Sequence, residues 1–101
     1  MAAQSAELRI RADEPAAEGH FPGNPVVPAA VLLREVLRIL SADGEMMCCE
    51  IRAARFFHPV RPGDLLVMHW EVQAGGDISF TCSPGTTEHR VLSGTIRVRA
   101  R

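Results

Sequence analysis

Hydrophobic and polar residues alternate along five separate stretches of the chain. A period of two is typical of strands that are covered on one face and open to solvent on the other. The alternating stretches are residues 8–11, 47–53, 66–73, 77–82 and 96–99. The pattern therefore predicts an antiparallel sheet of five strands with one face against a core.

A longer apolar stretch, residues 28–40, lies between the first two predicted strands and is expected to form a helix. Pro28 suits the first position of a helix, and Gly44 suits the left-handed conformation that commonly ends one. Its apolar surface is interrupted by three charged residues, Arg34, Glu35 and Arg38. A helix that is apolar on nearly every side is expected to be buried on most sides.

The order of these elements indicates the fold class. An irregular segment, residues 13–27, precedes the helix, and its Pro15, Pro22 and Pro25 exclude a regular helix or a central strand. Glycines with neighbouring turn residues at 61–64, 75–76 and 83–85 separate the later strands. Because one helix must cover the whole sheet, the sheet has to curve around it. We expect an α+β fold made of a single domain, residues 1–101.

Composition excludes several classes of function. The chain has 101 residues, of which 47% are hydrophobic, and its 11 basic and 12 acidic residues leave a net charge of −1. This balance indicates a soluble globular protein without a nucleic-acid-binding surface. No apolar run approaches the ~18 residues of a membrane span, and the N-terminus lacks a signal core. The three cysteines lack metal-binding spacing and predict buried thiols in a reducing cytoplasm.

Two segments resemble the signature of the 3-hydroxyacyl-[acyl-carrier-protein] dehydratases. The first is Gly-His-Phe-Pro-Gly-Asn-Pro-Val-Val-Pro at 19–28, which leads into the predicted helix, and the second is Phe-Phe-His-Pro-Val-Arg-Pro-Gly-Asp-Leu-Leu at 56–66. The resemblance implies a hot-dog fold, a curved antiparallel sheet of about five strands wrapped around one long central helix. It also implies a homodimer, or an assembly of dimers, with acyl-binding tunnels at the interface and no cofactor or metal.

The resemblance further implies loss of water from a 3-hydroxyacyl thioester, carried on acyl carrier protein or CoA. His20 matches the base that removes the C2 proton, a task for which histidine is well suited near neutral pH. Ala29 matches the residue whose backbone N–H helps hold the thioester carbonyl in the first helical turn. Phe21 and Gly23 of the same motif are the other expected substrate-binding residues.

The helix departs from the family at the second catalytic position. The family has a carboxylate fourteen residues after the motif histidine, where this chain has Arg34, and a guanidinium is no general acid. A shift of one residue would bring Glu35 to the catalytic position and Ala30 to the thioester. The unshifted alignment is favoured because it keeps the apolar positions in phase. Glu35 is then expected to pair with Arg38, and Arg34 to pair with an acid or to grip a substrate oxygen.

Three functions follow from these observations. The first is a dehydratase of fatty acid, polyketide or aryl-polyene synthesis, with a proton donated by Glu35 or by water. The second is an acyl-binding subunit that has kept the tunnel and lost the chemistry. The third is a hot-dog thioesterase. If the first and last strands lie close together, a basic face for an acidic carrier protein would also form; its residues would be Arg9, Arg11, Arg97, Arg99 and Arg101.

Overall fold

The computed structural model describes residues 4–13, 27–42, 46–85 and 89–100, with the backbone alone at 46–49 and 100. These residues form one helix, α1 (Ala29–Leu40), and five strands. The strands are β1 (Gln4–Arg9), β2 (Met46–Phe56), β3 (Leu65–Val72), β4 (Ile78–Pro84) and β5 (Leu92–Ala100). Within these residues the predicted order of one strand, one helix and four strands is confirmed, whereas most of the predicted irregular segment at 13–27 lies outside them.

All five strands belong to one antiparallel sheet with the order β1-β3-β4-β5-β2. Strands β1 and β2 are therefore its two edges. The pairing of β2 with β5 shifts register twice, between Cys48 and Glu50 and between Ile51 and Ala53. Such bulges bend a strand and increase its twist, so they help the sheet to curve around α1.

The core lies between α1 and the inner face of the sheet. Alternate residues of β3, β4 and β5 supply it, as the period of two predicts. The buried residues of these strands are Leu66, Met68, Ile78, Phe80, Cys82, Leu92 and Ile96. The helix contributes Val31, Leu32, Val36 and Leu40.

Two of the predicted turns hold the strand ends in place. At the first, Gly63 has a φ of +91°, and the Asp64 carboxylate accepts a hydrogen bond from the Arg61 N–H at 2.9 Å. At the second, Gly76 has a φ of +92°, and the Gln73 N–H donates to the Asp77 carbonyl at 2.7 Å. Glycine adopts this left-handed conformation at little steric cost, which explains its place in both turns.

The first strand begins and ends earlier than the alternation predicts. β1 pairs with β3 from Gln4 to Arg9, whereas Ile10 lies beyond the ladder and donates its N–H to the Asp64 carbonyl at 3.1 Å. Ile10 is nevertheless buried in the core. The alternation of apolar and charged residues at 8–11 therefore predicted which side chains are buried, but not which residues pair with β3 in the sheet.

The helix is buried on most sides, as the apolar pattern predicts, and its exposed residues lie on one side. α1 has twelve residues, an ordinary helix length, and its Ala29, Ala30, Arg34 and Arg38 are exposed. Two apolar residues of the edge strand β2, Ile51 and Phe56, are exposed as well. Among the described segments there is no helix with the length and apolar run needed to span a bilayer.

The basic face proposed from the sequence does not form. β3 and β4 separate β1, which carries Arg9, from β5, which carries Arg97 and Arg99. Arg97 instead pairs with Asp77 at 3.5 Å, and Arg11 pairs with Asp13 at 2.9 Å. Arg101 lies outside the described residues. Strand order, which alternation does not encode, decides this point.

Cys82 is the cysteine whose surroundings can be tested directly. It is fully buried on β4, and this burial raises the pKa of its thiol from 9.0 to about 12. Because the thiolate is the reacting form, we expect native Cys82 to react with iodoacetamide ~10³ times more slowly than an exposed thiol. Peptide mapping of native and guanidinium-denatured protein measures this, and rapid labelling in the native state would contradict it.

The same burial predicts the direction of an alkaline effect on stability. The folded state keeps the Cys82 thiol neutral, whereas the unfolded chain ionises it near its usual pKa of 9.0. This contribution to the free energy of unfolding is therefore fully present below pH 9 and is lost as the pH rises towards about 12.

Candidate functional site

A groove runs between the first turn of α1 and the end of β2. It has a volume of about 300 Å³, and its lining includes Val27, Ala29, Phe56, Phe57 and His58. The Val27 N–H donates to the Val60 carbonyl at 2.7 Å, which holds the start of the helix against the chain that follows β2. Among the described residues, the lining thus includes Val27, near the end of the first dehydratase-like segment, and residues 56–60 of the second.

The N-terminus of α1 opens on this groove. Pro28 precedes the helix, and its carbonyl accepts the N–H groups of Val31 at 3.0 Å and Leu32 at 3.3 Å. Within the described part of the chain, no carbonyl accepts a hydrogen bond from the N–H groups of Ala29 or Ala30. Unpaired N–H groups at a helix N-terminus attract negative charge, so the groove has a place for a developing oxyanion.

The carboxylate of Glu35 is engaged by two arginines of its own helix. Its Oε2 accepts a hydrogen bond from the Arg34 Nε at 3.2 Å, and its Oε1 accepts one from the Arg38 Nη2. The ion pair between Glu35 and Arg38 predicted from the sequence is therefore present. Arg34 also pairs with Glu35, the adjacent residue. Both carboxylate oxygens already have cationic donors.

Arg34 and Glu35 face different surroundings. The Arg34 side chain is 58% exposed, whereas the Glu35 side chain is only 11% exposed. Ala30, Arg34 and Arg38 are spaced four residues apart and lie along one exposed side of the helix. The residue at the family's carboxylate position is therefore the one that α1 presents outward.

Three of the predicted site residues, His20, Phe21 and Gly23, lie outside the described residues. Of the others, Ala29 lines the groove, Ala30 and Arg34 lie on the exposed side of α1, and Glu35 lies beneath the two arginines. In the described residues, no group of three or more His, Cys, Asp or Glu side chains is arranged to hold a metal ion.

Two aromatic residues of the groove were not assigned a site role from the sequence. Phe56 and Phe57 are 43% and 41% exposed, and the Arg90 guanidinium lies 5.1 Å from the centre of the Phe57 ring. A signal was available, because two adjacent aromatic residues at the end of a strand point to opposite faces. Since the core covers only one face of the sheet, one of the two aromatic side chains has to point away from the core.

The curved five-stranded sheet with a single helix against it is the hot-dog fold, as the resemblance implied. The family model described as "ApeI dehydratase" matches residues 2–95. The chain therefore belongs to the ApeI-like dehydratase family.

Curated relatives agree with this family. The chain is 36% identical over 74 residues to the 3-hydroxyacyl-[acyl-carrier-protein] dehydratase FabZ of Caulobacter vibrioides, covering 62% of this chain and 46% of the relative. It is 33% identical over 84 residues to FabZ of Anaplasma phagocytophilum, covering 69% and 58%. The chain thus spans about half the length of the curated relatives it matches.

Solved structures show the same fold at lower sequence identity. The dehydratase heterocomplex ApeI:P from Xenorhabdus doucetiae matches with a TM-score of 0.76 at 19% identity, over 98% of this chain and 88% of that one. The fluoroacetyl-CoA thioesterase FlK matches with a TM-score of 0.69 at 12% identity, over 99% and 85%. Because a dehydratase and a thioesterase both share the architecture, the fold does not by itself assign the reaction.

Proposed function

We propose that this chain is a 3-hydroxyacyl thioester dehydratase that acts in the cytoplasm as one hot-dog domain, in fatty acid, polyketide or aryl-polyene synthesis. The observation that carries the proposal is the exposed first turn of α1, where the Ala29 N–H opens on a groove walled by Phe56 and Phe57. Membership of the ApeI-like dehydratase family supports the same reaction. The substrate is carried on acyl carrier protein or on CoA.

In this mechanism the groove residues act on a thioester whose carbonyl points at the helix N-terminus. His20 removes the C2 proton, and the Ala29 N–H stabilises the negative charge that develops on the carbonyl oxygen. The C2–C3 double bond forms as the C3–oxygen bond breaks, and the leaving hydroxyl takes up a proton to become water. That proton comes from Glu35, once a partner chain or substrate displaces an arginine, or from a bound water. Phe21 and Gly23 are the further residues proposed to bind the substrate.

The direct test mixes purified protein with 3-hydroxyacyl thioesters of short, medium and long chains and follows enoyl absorbance. We expect absorbance to rise while free thiol stays constant. Release of free thiol without enoyl formation would instead indicate a thioesterase. Absence of turnover with every chain length, on both carriers, would reject the dehydratase.

An acyl-binding subunit without catalysis is the second candidate, and one observation favours it. Arg34 is exposed at the family's carboxylate position, while both oxygens of Glu35 are held by arginines. Such a chain would bind acyl-pantetheine in the groove without eliminating water.

Arg34→Glu tests whether an acid is missing. We expect this variant to raise the rate of enoyl formation by ~10², because it restores a proton donor at the position the family uses. The matched control is Arg38→Glu, which makes the same charge change one turn further along α1. An equal gain in both variants, or none in Arg34→Glu, would show that a missing acid at this position does not limit the reaction.

We also infer that the groove is completed by a second copy of the chain. Ile51 and Phe56 pair with buried Ile96 and Leu92 of β5, yet they are 42% and 43% exposed. The first turn of α1 lines the groove together with Phe56. An apolar surface beside an unpaired sheet edge is a common site of protein association. A homodimer would cover this apolar surface.

Ile51→Arg is therefore expected to give a monomer where the wild-type protein is a dimer. A charge at a buried interface loses its hydration without gaining a partner. Light scattering after size-exclusion chromatography measures the mass. Ala74→Arg, at the exposed turn after β3, serves as the control and should remain dimeric. A wild-type monomer at all concentrations would contradict the pairing.

A further inference from the structure

A second cleft lies beside the groove and has no part in the proposed reaction. The two share a wall formed by residues 58–60, but the second cleft is otherwise lined by the start of β3 with Asp64 before it, by the end of β4 and by the segment that precedes β5. Its volume of about 510 Å³ is within the range of small-molecule sites. It therefore has the size of a binding site in its own right.

The interior of this cleft is apolar. Val60, Leu66 and Val91 are at most 5% exposed and form its floor, with Leu65 and Pro84 beside them. Binding of an alkyl chain against this floor is favourable, because apolar surface of both the chain and the protein is removed from water. The floor by itself would accept any hydrophobic group, so the polar residues at the rim decide the class of ligand.

Two histidines from different loops meet at the rim. The ring centres of His58 and His89 are 6.5 Å apart, with the rings nearly perpendicular at 80°. Both side chains are exposed, so they can turn to direct one N–H each at a shared acceptor. Two converging N–H donors above an apolar floor match a carboxylate at the end of an alkyl chain.

The other charged groups nearby also favour an anion. Arg90 directly follows His89 and Arg61 is three residues after His58, and the Arg90 guanidinium lies 5.1 Å from the centre of the Phe57 ring. Among the described residues that line the cleft, Asp64 carries the opposing charge. One of its oxygens accepts the Arg61 N–H at 2.9 Å, and this hydrogen bond ties it to the turn.

We propose that this cleft binds a medium-chain carboxylate, with the alkyl chain on Val60, Leu66 and Val91 and the carboxylate between His58 and His89. The site is separate from the proposed elimination of water, and its occupant is not the thioester substrate. Residues 58–60 line both the groove and the cleft. A carboxylate bound in the cleft would therefore contact residues that also line the groove.

Isothermal titration of the purified full chain with octanoate, octanol and acetate tests the proposal. We expect octanoate to bind more tightly than octanol, which lacks the charge, and acetate, which lacks the chain. His58→Gln and His89→Gln should each weaken octanoate binding about tenfold, since each removes one hydrogen bond to a charged group. The matched control is His69→Gln, an exposed histidine of β3 outside the cleft lining.

A pair of filling variants separates the cleft from the groove. Val91→Phe should abolish octanoate binding, whereas Ala29→Phe, which fills the groove, should leave it unchanged. The opposite result would place octanoate in the groove and overturn the proposal, as would equal binding of octanol and octanoate. If Val91→Phe does not fold, the two exposed histidine variants decide the matter. These measurements need no turnover, so their outcome is independent of the dehydratase assignment.

Discussion

Replacing His20 with alanine is expected to lower the rate of enoyl thioester formation by ~10²–10⁴, the usual range for loss of a general base. Removal of a proton from C2 of a thioester is difficult, and no other residue of the motif at 19–28 is a base of suitable strength. The measurement is enoyl absorbance under saturating substrate for wild-type protein, His20→Ala and His20→Gln.

A second readout separates proton removal from a merely structural role. When the protein is incubated with thioester in deuterated water, exchange at C2 reports the action of the base directly. We expect exchange to be lost in both His20 variants and kept in His69→Ala, which changes an exposed histidine of β3. If His20→Ala still exchanged the C2 proton for deuterium, His20 would not be the base, whatever the overall rate of that variant.

Gly94→Ala is expected to cause the largest loss of stability among single-methyl additions to the sheet. A Cβ at this position would overlap the Ala53 carbonyl oxygen and lie 2.8 and 2.9 Å from two ring atoms of Phe80. Gly94 pairs with Ala54 of β2 on one side and with Phe80 of β4 on the other, so neither neighbour can move without disturbing the ladder. We expect a loss of about 3 kcal/mol in the free energy of unfolding, at the upper end of the range for overpacking.

Thermal or urea unfolding measures this change. A loss of that size lowers the Tm of a domain with about 100 residues by roughly 12–24 °C. The matched control is Gly75→Ala, because a Cβ on Gly75 meets no atom within 4 Å and that residue has no positive φ. Equal stability of the two variants would mean that the contact between Phe80 and Gly94 does not constrain the sheet.

The arrangement around Glu35 shows how a functional residue can change its role while the fold is kept. Its side chain is only 11% exposed and accepts hydrogen bonds from the guanidinium groups of Arg34 and Arg38. A carboxylate whose two oxygens are already engaged has fewer lone pairs for a substrate hydroxyl or a water. The comparison of Arg34→Glu with Arg38→Glu therefore bears on the choice between a dehydratase and an acyl-binding subunit.

Much of the fold was predictable because it depends on local pattern. A period of two along five stretches and a continuous apolar stretch at 28–40 were enough to predict five strands, one helix and a one-sided sheet. The ion pair between Glu35 and Arg38 was also predictable, since residues three apart on a helix are neighbours. Each of these inferences uses distances of a few residues along the chain.

The sequence by itself determined the elements, the turns at Gly63 and Gly76 and the resemblance of two motifs to the dehydratases. Only the tertiary structure decided that β3 and β4 separate Arg9 from Arg97, that two apolar residues of β2 stay exposed, and that His58 meets His89 above an apolar cleft. The physical reason is that strand order and the curvature of the sheet depend on contacts between residues far apart in the chain. Hydrophobic periodicity reports which face of an element is apolar, but not which element covers it.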